Sequence, residues 1–159
     1  PRRADGTLNN NQRLWTANYP IFTYQGSKLT WQDHKFENVA VGLAAPAGYV
    51  AMQKLEQMGV LYDQDLALKD GLKMVSLQRL DGYIVEEAIG TANLIEQQID
   101  NIHTPFSQPF LATDWYLPLS QKLVEQAPEK AHLFWQTLAQ VRDTQGTRLI
   151  EKYWPKPKN

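Results

Sequence analysis

The sequence predicts an α/β fold. The middle of the chain alternates short apolar runs with helical patterns in the order β-α-β-α-β-α, which is typical of a parallel sheet with right-handed crossovers. The chain has 159 residues, the size of one ordinary domain or two small lobes. Hydrophobic residues make up 43% of it and charged residues 21%, so the chain can bury a core. The two ends do not follow the alternation and belong elsewhere in the fold.

The chain begins with a polar loop that leads into a strand. Residues 1–11 are rich in Asn and other polar residues, which favour turns. Residues 19–24 are β-branched and aromatic, which predicts a strand with Pro20 near its start. A turn at Gly26 follows, and residues 28–31 extend the strand.

Six alternating elements are expected in the middle of the chain. Continuous apolar runs indicate buried strands, and apolar residues three or four positions apart indicate helices. Gly59 ends the first helix, and Asp63 or Asp65 is expected to cap the second. The elements are a strand at 39–43, a helix at 48–58, a strand at 60–62, a helix to residue 80, a strand at 82–85 and a helix at 86–98.

The last third of the chain has a different pattern. Residues 99–113 are irregular, and a strand is predicted at 115–119. A strong helix begins with Pro128, because proline suits the first helical position. Gly146 is expected to end that helix, and a short last helix follows at 147–153.

Composition and charge exclude several classes of function. The formal net charge is −1, from 16 Lys and Arg against 17 Asp and Glu, so we do not expect the basic face that nucleic-acid binding requires. There is no Cys, which excludes disulfides, thiol catalysis and thiolate metal sites. No apolar run reaches the length that spans a bilayer, so no direct membrane insertion is predicted.

Neither a cofactor nor a metal nor a catalytic residue is predicted. His34, His103 and His132 lie far apart in the sequence and lack metal-ligand spacing. The glycine-rich phosphate loops and the G-x-S-x-G nucleophile motif are missing from the sequence. Glu86 and Glu87 are adjacent on a predicted helix and point apart, so they do not form an acid/base pair.

Three features indicate a ligand cleft, and each has a simpler structural interpretation. Arg13 follows the polar loop and can hold a carboxylate in a bidentate pair, or it is an ordinary surface arginine. Residues 47–49 begin a helix whose free N–H groups suit an anion, or they form an ordinary turn. Glu86 follows a strand at the sheet edge where ligands bind, or it caps a helix.

Four stretches of the chain, taken in order, carry a resemblance to a known family. They are residues 4–13 (ADGTLNNNQR) with Tyr19-Pro20, residues 38–49 (NVAVGLAAPAGY), residues 77–83 (LQRLDGY), and residues 116–120 (YLPLS) with residues 150–153 (IEKY). Each motif is degenerate, and their order and spacing over nearly the whole chain give the specificity. The chain resembles solute-binding protein family 3, the type II periplasmic substrate-binding proteins of amino-acid ABC transporters and related sensors.

The resemblance implies an α/β two-lobe clamp of the type II periplasmic-binding-protein kind. Its sheets would be mixed and mainly parallel, with helices on both faces. Lobe two would be residues 28–112, and the hinge strands would be 23–27 and 113–117. Residues 1–22 and 118–159 would form parts of lobe one, whose first part is expected to precede residue 1.

The resemblance also assigns the ligand-binding residues. They are Arg13, Glu86, Gly6, Leu8, Ala47, Gly48 and Tyr49. Arg13 would take the α-carboxylate of a ligand, and Glu86 falls where amino-acid binders carry an Asp for the α-ammonium group. Leu8 stands where those binders have a hydroxyl residue, and Pro46 removes a backbone donor from the lobe-two loop.

The function implied by the resemblance is binding without a reaction. The chain would be a periplasmic protein of a Gram-negative bacterium, with its signal peptide removed. It would bind a small polar metabolite, an amino acid or a related carboxylate, and deliver it to an ABC transporter permease or a sensor partner. Two alternatives stay open: a dehydratase-like enzyme on the same fold with Glu86 or Glu87 as the acid, and a degenerate module that binds a protein partner.

Overall fold

A computed structural model describes residues 6–153 of the chain. A 3-10 turn at Asn10–Gln12 precedes the first strand. The strands are β1 (Trp15–Tyr19), β2 (Ile21–Tyr24), β3 (Thr30–Gln32), β4 (Lys35–Glu37), β5 (Leu43–Ala44), β6 (Gly82–Ile84), β7 (Ile102–His103) and β8 (Leu111–Trp115). The helices are α1 (Val50–Gln57), α2 (Leu68–Ser76), α3 (Glu87–Glu96), α4 (Gln121–Gln126) and α5 (Pro128–Tyr153).

The chain divides into two compact units. Unit 1 consists of Pro1–Ala17 and Thr113–Asn159, and unit 2 of Asn18–Ala112. The chain therefore passes from one unit to the other within β1 and within β8. The hinge strands expected at residues 23–27 and 113–117 stay predictions. Residues 23–27 fall in unit 2 and residues 113–117 in unit 1.

The sheet of unit 2 is mixed and has the strand order β5-β6-β2-β7. β5 runs parallel to β6, with Leu43 opposite Gly82. β2 runs antiparallel to β6, with Ile21 opposite Ile84, and antiparallel to β7. The expectation of mainly parallel pairing is therefore wrong for this sheet. Strand β2 precedes the α/β alternation in the sequence, and it runs antiparallel to both of its neighbours, β6 and β7.

The core of unit 2 lies where α2 and α3 pack on β2 and β6. Phe22, Leu72, Val75 and Tyr83 are buried there. Two helical glycines allow the close approach. A Cβ on Gly71 would lie 2.2 Å from Cε2 of Tyr83, and a Cβ on Gly90 would lie 2.3 Å from Cζ of Phe22.

The buried carboxylate of Asp81 explains why the predicted strand at 39–43 is shorter in the structure. Its Oδ2 accepts hydrogen bonds from the backbone N–H groups of Ala40, Val41 and Gly42 at 2.9, 2.7 and 2.8 Å. The N–H groups that a longer strand would give to the sheet are therefore bound to a side chain. Strand β5 keeps only the last predicted residue, Leu43, and Ala44 beyond it.

Two further expectations for unit 2 are wrong. Residues 28–31 do not extend the preceding strand, because β3 and β4 form a separate hairpin in which Trp31 lies opposite Phe36. Helix α2 is not capped by Asp63 or Asp65 but begins after Ala67, whose backbone is extended. The hydroxyl of Tyr83 donates to the carbonyl of Leu66 at 3.1 Å, which holds the segment before the helix against the core.

Unit 1 contains the 3-10 turn, the first part of β1, the last part of β8, α4 and α5. The N–H of Leu14 donates to the carbonyl of Trp115 at 2.7 Å, and the hydroxyl of Thr16 donates to Asp114 at 2.5 Å. The predicted strand at 115–119 is therefore placed too late, since β8 ends at Trp115.

Helix α5 begins at Pro128 as predicted and runs without a break through Gly146 to Tyr153. The predictions that Gly146 ends the helix and that a separate helix follows are wrong. A single glycine in a helix costs about 1 kcal/mol relative to alanine, which the helix-forming residues on both sides overcome. Within residues 6–153, no helix combines the length and apolarity needed to cross a membrane.

Candidate functional site

Arg13 lies in unit 1, between the 3-10 turn and β1. Its Nη1 donates to the carbonyl of Asn10 at 3.0 Å, and its Nε is 3.7 Å from Oδ1 of Asp114. The side chain is 39% exposed. Because a guanidinium carries five N–H donors in a planar fork, these contacts orient Arg13 and leave donors for a ligand.

Arg142 of α5 holds the backbone around Arg13, a role that the sequence analysis missed. Its Nη1 donates to the carbonyl of Asn11 at 3.2 Å and also to the carbonyl of Arg13. Its Nε donates to Asp143 at 2.7 Å, and this bond lowers the pKa of the Asp143 carboxyl. No local signal in the sequence indicates the contact, because Arg13 and Arg142 are brought together only by folding.

The other two predicted residues of unit 1 lie in the segment before Arg13. Gly6 has a φ of +83°, and a Cβ there would meet no atom of residues 6–153 within 4 Å. Leu8 is exposed. The predicted residues Gly6, Leu8 and Arg13 therefore all fall in one short segment at the surface of unit 1.

Residues Ala47, Gly48 and Tyr49 form the turn that leads into α1 in unit 2. Gly48 has a φ of +79° with open space around its Cα, a conformation that glycine adopts without strain. Tyr49 is the N-cap residue, and its side chain makes no capping hydrogen bond. All three residues are exposed, so the start of α1 is accessible to a ligand.

Glu86 follows β6 and is the N-cap residue of α3. Its Oε2 accepts the N–H of Ile89 at 2.9 Å. The helix-cap interpretation of Glu86 is thereby confirmed. A capping carboxylate still has a second oxygen, and Glu86 is only half-buried, so the cap does not exclude a contact with a ligand cation.

The structure places the seven predicted residues in two groups. Unit 1 holds Gly6, Leu8 and Arg13, and unit 2 holds the start of α1 and Glu86. Among residues 6–153 no group of three or more His, Asp or Glu side chains could hold a metal ion. The chemistry that the two groups offer is hydrogen bonding and charge pairing with a polar ligand.

Comparison with known proteins gives a result at the level of structure only. No protein-family model matches the sequence, and no curated protein matches it. The L-cystine solute receptor of Neisseria gonorrhoeae in the unliganded open conformation matches with a TM-score of 0.66 at 14% identity, over 91% of this chain and 59% of that chain.

Two other solved structures are similar. The GluR0 ligand-binding core from Nostoc punctiforme in complex with L-glutamate matches with a TM-score of 0.61 at 11% identity, over 91% of this chain and 64% of that chain. An ancestral amino-acid-binding protein, a precursor of cyclohexadienyl dehydratase, matches with a TM-score of 0.56 at 13% identity, over 91% of this chain and 60% of that chain.

The chain therefore has the α/β fold of the periplasmic binding proteins, as the motif resemblance implies. It spans less than two thirds of the length of these structures. The three structures named above are of a receptor for L-cystine, a ligand-binding core holding L-glutamate and an ancestral amino-acid-binding protein.

Proposed function

We propose that this chain is the ligand-binding part of a periplasmic solute-binding protein. Its ligand would be a small polar metabolite that carries a carboxylate, an amino acid or a close relative. The observation that carries the proposal is the shared fold with amino-acid receptors of three different kinds. An ABC transporter permease or a membrane sensor would receive the liganded protein.

Arg13 is proposed to hold the ligand carboxylate. Its backbone carbonyl is anchored by Arg142 and its Nη1 by the carbonyl of Asn10, so the guanidinium is oriented before a ligand arrives. An oriented guanidinium binds a carboxylate through two parallel hydrogen bonds. The 3.7 Å separation from Asp114 is too long for a strong hydrogen bond that would compete with the ligand.

Glu86 and the start of α1 are the ligand-binding residues proposed for unit 2. Glu86 would pair with the ammonium group of the ligand through the carboxylate oxygen that does not cap α3. The N–H groups at the start of α1, next to the open Gly48, would donate to the ligand carboxylate.

The test is a calorimetric titration of the complete gene product. A thermal-shift screen of L-amino acids and small organic acids first identifies a ligand. Arg13→Ala should then weaken binding about 10- to 150-fold, because a charged hydrogen-bonded pair contributes about 1.5–3 kcal/mol. Arg79→Ala is the matched control, since Arg79 is an exposed arginine of unit 2 that is not among the candidate residues. Equal affinities of the Arg13→Ala and unchanged proteins would contradict the assignment.

An enzyme on the same fold is the second candidate, and one similar structure favours it. The ancestral amino-acid-binding protein is a precursor of a dehydratase. An NMR time course of the ligand with stoichiometric protein separates the two functions, because a binding protein returns its ligand unchanged. If the ligand is consumed, Glu86→Gln or Glu87→Gln should stop the reaction, because these two residues are the candidate acids. Glu37→Gln, at an exposed position of β4, serves as the control.

A further inference from the structure

Asp81 ties together the starts of two neighbouring strands of unit 2. The residue is 4% exposed, and its Oδ2 accepts the N–H groups of Ala40, Val41 and Gly42 at 2.9, 2.7 and 2.8 Å. Its own N–H donates to the carbonyl of Gly42 at 3.0 Å. We call these hydrogen bonds the Asp81 clamp. Asp81 and Gly42 are therefore joined in both directions, through the side chain and through the backbone.

The Asp81 clamp is itself anchored in the sheet of unit 2. The hydroxyl of Thr23, on β2, donates to the carbonyl of Asp81 at 2.8 Å, and this bond is buried. Gly42 has a φ of +135°, a conformation that other residues rarely adopt. A Cβ on Gly42 would lie 3.3 Å from the backbone of Tyr62, so the chain has little room to shift there. The clamp therefore connects the loop before β5 to both β6 and β2.

The clamp lies at the opposite end of β5 and β6 from the candidate ligand residues. Strand β5 begins at Leu43 and β6 at Gly82, and these two residues lie opposite each other in parallel strands. Because the carboxyl ends of parallel strands meet at one edge of a sheet, the segments that follow leave the sheet at the same edge. One segment leads to the turn at 47–49, and the other leads to Glu86.

The ladder between β5 and β6 is short. It pairs Leu43–Ala44 with Gly82–Tyr83. A slip by one residue would shift β5 by about 3.3 Å along β6 and turn its side chains to the other face of the sheet. On its other side β5 is bonded to Val60 and Tyr62, which are not part of β6. The Asp81 clamp opposes the slip directly, because all of its hydrogen bonds would be broken together.

We infer that Asp81 is a positioning residue for the ligand-binding elements of unit 2. By fixing β5 against β6, its carboxylate sets where the turn at 47–49 lies relative to Glu86. Asp81 itself lies at the other end of the strands and does not contact the ligand. The inference rests on the proposed function. Without the carboxylate, segment 40–49 takes other arrangements, and the affinity falls with the fraction of molecules that keep the competent one.

A distance measurement without ligand tests the positioning step. The sequence has no Cys, so Val50→Cys and Glu87→Cys place spin labels only at the exposed first residues of α1 and α3. In the complete gene product, Asp81→Ala should broaden or shift the label-to-label distance by about 3 Å, the rise of one strand residue. Leu72→Ala is the matched control, because it truncates a fully buried side chain of the same unit and leaves the clamp intact.

The second measurement is calorimetry of the unlabelled proteins with the common L-amino acids, titrated one by one at a temperature where circular dichroism shows every variant folded. Asp81→Ala should weaken binding at least about tenfold, as when about one molecule in ten keeps the competent arrangement. Leu72→Ala should stay within about twofold, because separate sites act independently. Asp81→Asn, whose amide oxygen still accepts hydrogen bonds, should change both readouts less and replaces Asp81→Ala if that variant does not fold.

The two measurements separate failure of this inference from failure of the proposed function. Equal distance distributions in Asp81→Ala and Leu72→Ala overturn the inference, whatever binds. Unchanged affinity in Asp81→Ala, together with weaker binding in Arg13→Ala, also overturns it and leaves the proposed function standing. If no L-amino acid binds the unchanged protein, the proposed amino-acid ligand is wrong, and the distances alone decide whether Asp81 fixes the turn.

Discussion

Replacing Gly71 by alanine should destabilise unit 2, although alanine is the better helix former. Gly71 lies inside α2, and its Cα faces the ring of the fully buried Tyr83. An alanine Cβ would lie 2.2 Å from Cε2 and 2.3 Å from Cδ2 of that ring. Neither the ring nor the helix can move without disturbing the rest of the core, because both are packed on β2.

The size of the change in the free energy of unfolding follows from two opposing contributions. Carbon atoms in contact are normally about 3.5–4.0 Å apart, so the new methyl group overlaps the ring by more than an ångström. Overpacking of this kind costs about 3 kcal/mol at the upper end of its usual range. Alanine recovers about 1 kcal/mol of helix propensity. We therefore expect a net loss of about 2 kcal/mol in the free energy of unfolding.

Gly146 is the matched control for this prediction. It also lies inside a helix, but within the described part of the chain a Cβ there meets only Cγ of Arg142, at 3.7 Å, which is an ordinary contact. Gly146→Ala should therefore stabilise α5 by about 0.5–1 kcal/mol. Urea unfolding followed by circular dichroism gives the free energies, and hydrogen exchange of peptides from α2 and α5 assigns each change to its helix.

A double variant tests the cause of the loss. If the ring of Tyr83 is the obstacle, Gly71→Ala should be neutral or stabilising in a Tyr83→Leu background, with a coupling energy of about 2–3 kcal/mol. The reasoning is refuted if Gly71→Ala alone stabilises the protein as Gly146→Ala does, or if its effect is the same in both backgrounds.

Three other predictions concern a carboxylate, a phenol and the candidate site. Asp81→Ala should lower the free energy of unfolding by about 3 kcal/mol, since it leaves three backbone N–H groups without their acceptor. Urea unfolding checks this, and Asp65→Ala, at an exposed loop position before α2, should change little. Burial, aided by nearby Tyr49 and Asp70, raises the pKa of Tyr83, so unfolding should become easier above about pH 10, where only the unfolded tyrosine loses its proton. Tyr83→Phe should reduce this loss of the free energy of unfolding, measured from pH 8 to 11, by up to about 1.4 kcal/mol per pH unit. An unchanged dependence on pH would show that other groups cause the loss. Arg13→Ala should weaken ligand binding in calorimetry while Arg79→Ala does not, and it should leave the melting temperature of the free protein nearly unchanged, because Arg13 is partly exposed.

Elements with strong local signals were predicted from the sequence. The periodicity at 48–58 predicted α1, which the structure has at Val50–Gln57. Proline at a first helical position predicted the start of α5 at Pro128. The apolar run at 82–85 predicted β6. In each case the deciding interactions lie within one turn or one strand, so the residues themselves carry the information.

Elements decided by distant residues were not predicted. The run at 39–43 has the composition of a strand, but the carboxylate of Asp81, about forty residues away in the sequence, binds its N–H groups. The mixed sheet arises because β2 inserts between β6 and β7, and nothing in the local pattern of β2 indicates its direction.

For the candidate site, too, some features could be predicted from the sequence and others are visible only in the structure. The sequence identified Arg13 and Glu86 by residue type and by position beside strands. Only the structure shows that Glu86 caps α3 through one oxygen and that Arg142 anchors the Arg13 segment. The roles proposed for both residues in ligand binding stay predictions until the titrations are made.

The sequence by itself determined the α/β alternation of unit 2, the positions of its main helices and the absence of thiol chemistry. The tertiary structure decided the strand directions, the two-unit division at β1 and β8, and the exposure of apolar residues such as Leu133 and Leu149 on α5 within residues 6–153. The physical reason is the separation in sequence over which each kind of interaction acts. Helix propensity and apolar periodicity act between residues a few positions apart. Sheet pairing, buried carboxylate bonds and the coverage of an apolar face depend on residues that only folding brings together.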